Sequence, residues 1–245
     1  EHVHGLTQKF YSSLTRKKQM YLLSLDTARA FDSISHVYIR KLLAHVGLPG
    51  WVCNMVQGLL HEVTVVAAIA GAAASPISIK RGVKQGCPFS PLLFVLCYDV
   101  LLWRLDKLPG MTAFAYADDL AITTAKCSTL CKGLDLIRKF AKVSGLGLNM
   151  KKTFIVTTLD MTVASRAKLD ELGWSKIRCA PHCTYLGVLV GRHVTTREVY
   201  AKAVAKFTAR LDTCRRFLSG CSLHERILVA NVFLLPLLYY LSQFY

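Results

Sequence analysis

Apolar residues recur along the chain with two spacings, one typical of β-strands and one typical of helices. Short apolar runs predict strands at Met20 to Leu25, Met111 to Tyr116, Leu120 to Thr124, Thr153 to Thr158 and Thr184 to Val190. Apolar positions three and four residues apart predict helices from Ser35 to about Val46, Trp51 to about Leu60, Leu92 to about Leu105 and about Thr129 to Val143. Strands and helices therefore alternate through residues 1–190.

Some of these elements have predicted ends and faces. The helix from Ser35 should start at a cap formed by Asp32 or Ser33, end at Gly47 and bury one apolar face: Ile39, Leu42, Leu43 and Val46. The runs Val63 to Ile69 and Pro76 to Lys80 predict a hairpin around the small residues Gly71 to Ser75. The stretch Asp160 to Lys176 carries no clear pattern, and Glu1 to Lys18 is polar and basic without an apolar run.

The last fifty or so residues predict two long helices, about Thr196 to Leu218 and Leu223 to Ser242. On the first of them a basic stripe and an apolar stripe lie on opposite faces. The basic stripe comprises Lys202, Lys206 and Arg210 and is extended by Arg215 and Arg216. The apolar stripe comprises Val204, Phe207, Leu211 and Cys214. The chain thus predicts an α+β fold in which a sheet domain precedes a small helical domain.

Composition indicates the class of partner. The 245 residues contain 31 Lys and Arg against 15 Asp and Glu, a formal net charge of +16, which predicts a polyanionic partner such as nucleic acid. A hydrophobic share of 53% with 19% charged residues excludes a disordered basic tail. So apolar a chain is also expected to cover part of its surface with further protein chains.

Cysteines and one apolar run raise two other possibilities. Cys127 and Cys131, and Cys179 and Cys183 with the neighbouring His182, allow a zinc site, although scattered thiols in an intracellular reducing compartment are the favoured interpretation. Ile227 to Leu241 is shorter than the roughly twenty residues that a membrane helix needs. Because Asn231 and Pro236 also interrupt it, we expect a core or interface helix and no membrane partner.

Three aspartates are the sharpest chemical signal. Asp26 ends one predicted strand, and Asp118 and Asp119 occupy the tight turn between two others. Each could be a simple turn former or cap. Carboxylates at strand ends next to apolar runs are costly to desolvate, however, and a divalent metal ion would offset that cost.

The sequence around these acids resembles the palm motifs of reverse transcriptases. In chain order the motifs are SLDTARAFDSISH from Ser24, RGVKQGCPFSPLLF from Arg81, FAYADDLAI from Phe114, GLGLNMKKT from Gly145 and YLGVLVG from Tyr185. The residues of the second motif resemble those of reverse transcriptases from retroelements of the non-LTR (LINE-like) group. The resemblance implies the right-hand palm fold, an antiparallel sheet backed by helices, over residues 1–190, and a truncated helical thumb segment over residues 191–245.

The resemblance also implies a metal site and a nucleotide site. Asp26 and Asp118 would be the main ligands of two Mg²⁺ ions, for which Mn²⁺ could substitute, with Asp119 supporting them and the Thr27 carbonyl completing one shell. Phe31 would be the steric gate that excludes a ribose 2′-hydroxyl, although a core aromatic is the simpler alternative. Beside the incoming nucleotide the resemblance places Gln85 and Gly86.

Further residues would act on the leaving group and on the nucleic acid. Lys152, or its neighbour Lys151, would protonate the departing pyrophosphate. A hairpin would form the primer grip, and its residues are Tyr185, Leu186 and Gly187. The basic stripe would follow the phosphate backbone of an RNA template paired with a DNA primer, or of an RNA–DNA hybrid.

Two functions remain open at the level of sequence. The first is RNA-directed DNA polymerisation by a palm and partial thumb whose fingers are little represented. Three explanations of the missing fingers stay open: another polypeptide supplies them, the sequence is truncated, or the protein no longer polymerises. The second is a domesticated subunit with a structural or RNA-binding role in a larger ribonucleoprotein or protein complex. Retention of a metal site would distinguish the polymerase from the scaffold.

Overall fold

The computed structural model describes residues 2–61, 63–66, 68–69, 72–73 and 75–244. In chain order the helices α1 to α10 are His2–Thr15, Ala30–Ser33, His36–Val46, Gly50–Leu60, Phe89–Asp106, Cys127–Ser144, Val163–Glu171, Thr196–Leu218, Leu223–Val229 and Pro236–Ser242. The strands β1 to β11 are Tyr21–Asp26, Thr64–Val65, Ala68–Ile69, Ala72–Ala73, Ile77–Ser78, Met111–Tyr116, Asp119–Thr124, Phe154–Thr157, Arg178–Cys179, His182–Tyr185 and Val188–Gly191.

A five-stranded sheet in the order β6-β7-β1-β8-β9 is the largest sheet in this part of the chain. Strand β7 pairs antiparallel with β6 on one side and with β1 on the other. The first five residues of β1 are all buried, as expected for a central strand that is covered on both faces. Together with its helices this sheet confirms the α+β palm-like architecture predicted from the sequence.

Helices α3, α5 and α6 pack on one another, and α5 and α6 also pack against the sheet. The longest apolar segment, α5, buries a continuous stripe into the common core, formed by Leu93, Phe94, Cys97, Leu101 and Leu105. Helix α6 has a more strongly two-sided pattern and buries Leu130, Leu134 and Ile137. The core therefore lies between the sheet and these helices, and it supports the strand ends where the aspartates are found.

The start of α3 differs from the prediction. Ser35, rather than Asp32 or Ser33, caps the helix, because its side chain accepts a hydrogen bond from the Tyr38 backbone N–H. Gly47 ends the helix with a φ of +74°, as predicted. Val46 was expected to face the core but is 52% exposed, since it sits in the final turn.

By compactness the chain divides into two units. One comprises Glu1–Met20, Val156–Asp160 and Cys179–Tyr245, and the other comprises Tyr21–Ile155 and Met161–Arg178. The palm and thumb boundary between residues 190 and 191 is a functional division and stays a prediction.

Several elements were not predicted from the sequence, or differ in their bounds from the prediction. Helix α1 lies in the segment taken as merely polar, and it buries Val3, Leu6 and Phe10 at helical spacing. Helix α7 occupies the stretch that carried no clear pattern. The strand expected at Thr184 to Val190 is two strands, β10 and β11, which form a hairpin. Where a hairpin was expected around Gly71 to Ser75, β2 pairs antiparallel with β5, and β3 pairs antiparallel with β4. Residues 71 and 74 lie outside the described residues.

The last predicted helix is interrupted. After α9 the backbone forms a π-helical segment, Ala230–Leu234, and α10 then begins at Pro236. The axis bends by 48° at this break, where the proline has no N–H to continue the helical hydrogen bonds. Within the described ranges no single helix meets the length and composition required to cross a bilayer, and only this bent pair meets them jointly.

Candidate active site

Two strand ends bring the acidic residues together. Asp26, the last residue of β1, is the antiparallel Cα partner of Asp119, the first residue of β7. The Cα atoms of such partners lie about 4.5–5.5 Å apart. Asp118 precedes Asp119 in the turn that joins β6 to β7. The three acids that the sequence singled out therefore meet at one edge of the sheet.

The turn that carries Asp118 is short and strained. Tyr116 and Asp119 are paired across the hairpin, so that Ala117 and Asp118 are its only loop residues. Ala117 has a φ of +51°, in the left-handed region that glycine adopts far more readily. A positive φ at the first loop residue is a feature of the type I′ and II′ hairpin turns, which match the twist of the flanking strands.

The electrostatics of the turn show that the acids interact. Partial burial raises the pKa of Asp119, and the negative charges of Asp118 and Asp26 raise that pKa further. Lys152 acts in the opposite direction and lowers the pKa of Asp119. The carboxylates are therefore close enough to repel one another, with an ammonium group nearby.

The donor chemistry at this edge fits a hard divalent cation. Carboxylate and carbonyl oxygens are the ligands that Mg²⁺ and Mn²⁺ prefer, and clustered carboxylates favour a bound cation. Within the described ranges, however, no three His, Cys, Asp or Glu side chains are arranged as a ready-made metal-binding group. The backbone thus brings the acids together without preforming a three-carboxylate cage.

Asp26 is held by two neighbours from the loop after α6. Its Oδ2 accepts a hydrogen bond from Asn149 Nδ2 at 3.0 Å. Its Oδ1 lies 3.6 Å from Lys152 Nζ, in an ion pair where the Lys152 side chain is 67% and the Asp26 side chain 27% exposed. Of the two lysines that the sequence left open, Lys152 is thus the one paired with this acid, while Lys151 donates its backbone N–H to Asn149 Oδ1.

Thr27 links the turn to the core. Its buried hydroxyl lies 3.4 Å from the Asp118 carbonyl, which accepts its hydrogen bond, and its side chain also bonds Tyr98. Burial raises the pKa of Tyr98 to about 12, so this hydroxyl stays protonated at neutral pH. The Thr27 backbone forms a β-bridge with Leu148. Thr27 and Tyr98 therefore anchor the base of the turn that carries Asp118.

Phe31 belongs to a stack of aromatic rings. Its ring lies 4.6 Å from that of Phe94, and Phe94 in turn stacks on Tyr98 at 5.5 Å. Phe31 itself is half-buried and packs against the core. It therefore combines the packing of a core aromatic with a partly open face, and its role as a steric gate stays a prediction.

Gln85 and Gly86 lie in the loop before α5. The Gln85 amide donates to Asp32 Oδ1 at 3.2 Å. Gln85 and Asp32 border a cavity of about 640 Å³, and its lining also includes Lys80, Arg81 and Lys84. Gly86 has a φ of +85°, with no atom within 4 Å of the place where a Cβ would stand. This loop thus offers a basic, open pocket beside a glycine that leaves room for a ligand.

The predicted primer-grip residues form the turn of the β10–β11 hairpin. Tyr185 is buried and pairs with Val188, which leaves Leu186 and Gly187 as the loop. Their φ values of +47° and +83° are those of a type I′ turn. Tyr240 of α10 donates its hydroxyl to the Leu186 carbonyl at 2.6 Å and thus braces the turn.

The basic stripe of α8 is exposed, as expected for a surface that contacts phosphates. Lys202, Lys206 and Arg210 all lie on the solvent side, although Arg210 also donates to the Phe233 carbonyl at 3.1 Å. Arg215 and Arg216 are exposed too, and Arg215 lies 3.7 Å from Asp212.

The apolar stripe of α8 differs from the prediction. Val204 was expected to point inward but is 49% exposed, and the buried positions are Val199 and Ala203. Phe207, Leu211 and Cys214 are only half-buried. The inward face is therefore rotated slightly from the predicted one and is partly open.

The cysteines lie within the described residues, and none of them forms a disulfide bond. Within these residues, neither Cys179 and Cys183 nor Cys127 and Cys131 belong to a group of side chains that could hold a metal ion. The open possibility of a structural zinc site therefore gains no support.

Three residues with a place in these sites were not assigned from the sequence. Asn149 lies inside a quoted motif, and its position three residues before Lys152 was the available signal. Tyr98 and Tyr240 carried no signal, because each acts through a contact with a residue distant in the chain: Thr27 for Tyr98 and Leu186 for Tyr240.

Comparison with known proteins identifies the family of this chain. The family described as reverse transcriptase (RNA-dependent DNA polymerase) matches residues 3–190. The Pol polyprotein of a type-1 R2 retrotransposable element of Popillia japonica is 32% identical over 163 residues, which cover 62% of this chain and 23% of that protein. The R2DM Pol polyprotein of Drosophila melanogaster is 34% identical over 146 residues, 57% of this chain and 14% of that protein.

Solved structures share the fold. Telomerase from Candida tropicalis, in complex with a fragment of telomeric RNA, superposes with a TM-score of 0.59 at 12% identity, over 85% of this chain and 37% of that one. The chain spans about a quarter or less of the length of the R2 relatives named above. Both the motifs and the fold lead to one assignment: the chain belongs to the reverse transcriptase (RNA-dependent DNA polymerase) family and resembles most clearly its non-LTR retrotransposon members.

Proposed function

We propose that this chain forms the catalytic palm and the start of the thumb of an RNA-directed DNA polymerase. The reaction would join the 3′-hydroxyl of a primer to the α-phosphate of a deoxynucleoside triphosphate and release pyrophosphate. The observation that carries the proposal is the antiparallel pairing of Asp26 with Asp119, beside Asp118 in the hairpin turn.

The acidic edge of the sheet is where divalent metal would bind. Reverse transcriptases use divalent metal ions, and Asp26 and Asp118 would hold them here as Mg²⁺ or Mn²⁺, supported by Asp119 and the Thr27 carbonyl. When bound, a pair of such ions supplies charge neutralisation for the attacking and leaving oxygens of phosphoryl transfer. The repulsion that raises the Asp119 pKa supports a cation at this place.

Other side chains would position substrate and move a proton. Lys152 is exposed and cationic next to Asp26, so it can donate a proton to the departing pyrophosphate. Phe31, which stacks on Phe94 and through it is linked to Tyr98, would press on the sugar of the incoming nucleotide. Gln85, which borders the basic cavity, and the adjacent Gly86 would contact the nucleotide and the template base.

The nucleic acid would be an RNA template with a DNA primer. The exposed Lys202 and Lys206 of α8 support backbone contacts that do not depend on base sequence. The braced turn at Leu186 and Gly187 supports a primer grip. The fold is shared with telomerase structures, two of which are complexes with a fragment of telomeric RNA, and this supports an RNA template.

Primer extension on an RNA template tests the proposal, with the protein that contains this chain and any fingers region it requires. We expect Asp118→Ala to abolish nucleotide addition while the circular dichroism spectrum stays unchanged. Asp106→Ala, which removes an exposed carboxylate at the end of α5, should extend primers like the wild type. A wild-type protein that adds no nucleotide under these conditions would contradict the proposal.

The alternative of a domesticated, non-catalytic subunit has no support in the comparisons. Further protein chains that cover apolar surface remain part of the proposal, since large apolar side chains such as Leu223 and Phe217 are 74% and 76% exposed.

A further inference from the structure

Asn149 is the most heavily bonded residue of the loop beside the acidic edge. Its backbone N–H donates to the Asp26 carbonyl at 2.9 Å, and its side-chain amide donates to the Asp26 carboxylate at 3.0 Å. One residue thus contacts both the main chain and the side chain of Asp26. The half-buried position of Asn149 makes these bonds less exposed to competition from water than bonds on the open surface.

The acceptors of Asn149 are engaged as well, and they shape the loop that carries Lys152. The Asn149 backbone carbonyl accepts from the Lys152 N–H at 3.0 Å and from the Thr153 hydroxyl at 2.9 Å. Its side-chain oxygen accepts from the Lys151 N–H at 3.2 Å. A change at Asn149 would therefore act on Asp26 and on the position of Lys152 together.

The two oxygens of Asp26 are divided between different partners. Oδ2 is occupied by the Asn149 amide, and Oδ1 is the oxygen 3.6 Å from the Lys152 ammonium. A neutral amide fixes the rotation of the carboxylate without neutralising its charge. Oδ1 is thereby left to face a positive charge, which in this structure is the Lys152 ammonium group.

We propose that Asn149 is a positioning residue that orients the Asp26 carboxylate so that Oδ1 can bind a divalent cation. The inference rests on the proposed function insofar as it takes Asp26 to be a metal ligand. Hydrogen bonds of this kind fix the orientation of a ligand, and their loss costs about 10- to 100-fold in metal affinity or activity.

Direct Mn²⁺ binding, followed by electron paramagnetic resonance on the protein without nucleic acid, tests this role. The signal of interest is the Mn²⁺ binding that Asp26→Ala removes. We expect Asn149→Ala and Asn149→Ser each to weaken that binding about 10-fold. Ser can still accept from the Lys151 N–H but is too short to reach the Asp26 carboxylate, so it separates the loop contact from the contact with Asp26.

Two further variants complete the comparison. Asn149→Gln keeps an amide donor and should recover part of the Mn²⁺ affinity that alanine loses. Asn54→Ala, which removes an exposed asparagine from α4, should bind Mn²⁺ like the wild type. Thermal unfolding of each variant reports whether the protein remains folded.

The results separate this inference from the polymerase proposal. Mn²⁺ binding that weakens in the alanine and serine variants supports the role of Asn149 even if the protein extends no primer, which would contradict the polymerase activity alone. Unchanged Mn²⁺ affinity in Asn149→Ala, or a wild type with no Asp26-dependent Mn²⁺ binding, would overturn the inference.

Discussion

Two non-glycine residues hold left-handed backbone conformations at the turns that the proposed function uses. Ala117 precedes Asp118, and Leu186 begins the turn of the β10–β11 hairpin, with φ values of +51° and +47°. Each such residue costs of order 1–2 kcal/mol relative to an unstrained conformation. Strain of this kind persists where the surrounding structure determines the backbone, as the paired strands do on both sides of each turn.

Relief of the strain at Ala117 should stabilise the protein. Ala117→Gly is expected to raise the free energy of unfolding by about 0.5–1 kcal/mol, because the gain at a positive φ exceeds the extra entropy that glycine loses on folding. The exposed side chain contributes no buried surface to offset this gain. Urea denaturation measures the change, and Ala115→Gly, in the adjoining strand, should instead lower stability. A loss of stability in Ala117→Gly would show that the turn is not strained.

Gly82 and Gly86 offer a matched pair in the loop before α5. Their φ values are +86° and +85°, so an alanine at either position bears the same conformational cost, about 1–2 kcal/mol. A Cβ at Gly82 would also stand 2.9 Å from the Asp32 Cα, whereas nothing lies within 4 Å at Gly86. We expect Gly82→Ala to lower the urea midpoint clearly more than Gly86→Ala. Equal midpoints would mean that the backbone around Asp32 moves freely.

Among the elements, α10 braces the turn of the β10–β11 hairpin. Its Tyr240 hydroxyl bonds the Leu186 carbonyl, and the Tyr240 ring lies 3.6 Å from where a Cβ at Gly187 would stand. The break at Pro236 redirects α10 relative to α9 by 48°. A continuous helix from Leu223 could not follow the same path, so the proline contributes to the placement of this tyrosine.

Loss of that hydroxyl should weaken the hairpin without a change in packing. Tyr240→Phe is expected to lower the free energy of unfolding by about 0.5–1.5 kcal/mol, the usual net value of one hydrogen bond. Amide hydrogen exchange of β10 and β11 should increase in parallel. The matched change Tyr239→Phe, at an exposed neighbour on the same helix, should have little effect on either measurement. Similar results for both variants would argue against the brace.

At the scale of the whole molecule, the net charge of +16 favours a polyanionic partner without specifying where that partner would bind. The exposed stripe of α8 concentrates positive charge on one helix face, and Arg210 is tied by its bond to the Phe233 carbonyl. The two lysines of the stripe are therefore the better probes of phosphate contacts.

Salt dependence distinguishes the stripe from net charge. For binding of an RNA–DNA hybrid, the double variant Lys202→Ala/Lys206→Ala should reduce the slope of log K against log salt by roughly 1–2. Fluorescence anisotropy over a series of salt concentrations measures this slope. The control Lys132→Ala/Lys139→Ala removes the same charge from exposed positions of α6. If both double variants change the slope equally, general attraction rather than the stripe accounts for binding.

The amino-acid sequence alone was enough to predict the fold class, the main strands and the meeting of the three acids. Alternating apolar runs specify strands, and acids at their ends are necessarily brought to a sheet edge when those strands pair. The errors lay where the pattern was weak or broken. Helix α1 has few apolar residues, Val46 and Val204 sit near the margins of apolar faces, and Pro236 interrupts an otherwise uniform run.

The tertiary structure decided the contacts between residues far apart in the chain. The bonds from Asn149 to Asp26, from Thr27 to the Asp118 carbonyl and from Tyr240 to the Leu186 carbonyl leave no periodic signal, because each depends on how separate segments pack. The choice of Lys152 over Lys151 beside Asp26 is of the same kind, since neighbouring lysines are alike in sequence and differ only in the direction in which the folded loop points them. Local patterns determine which elements form, and packing determines which side chains meet.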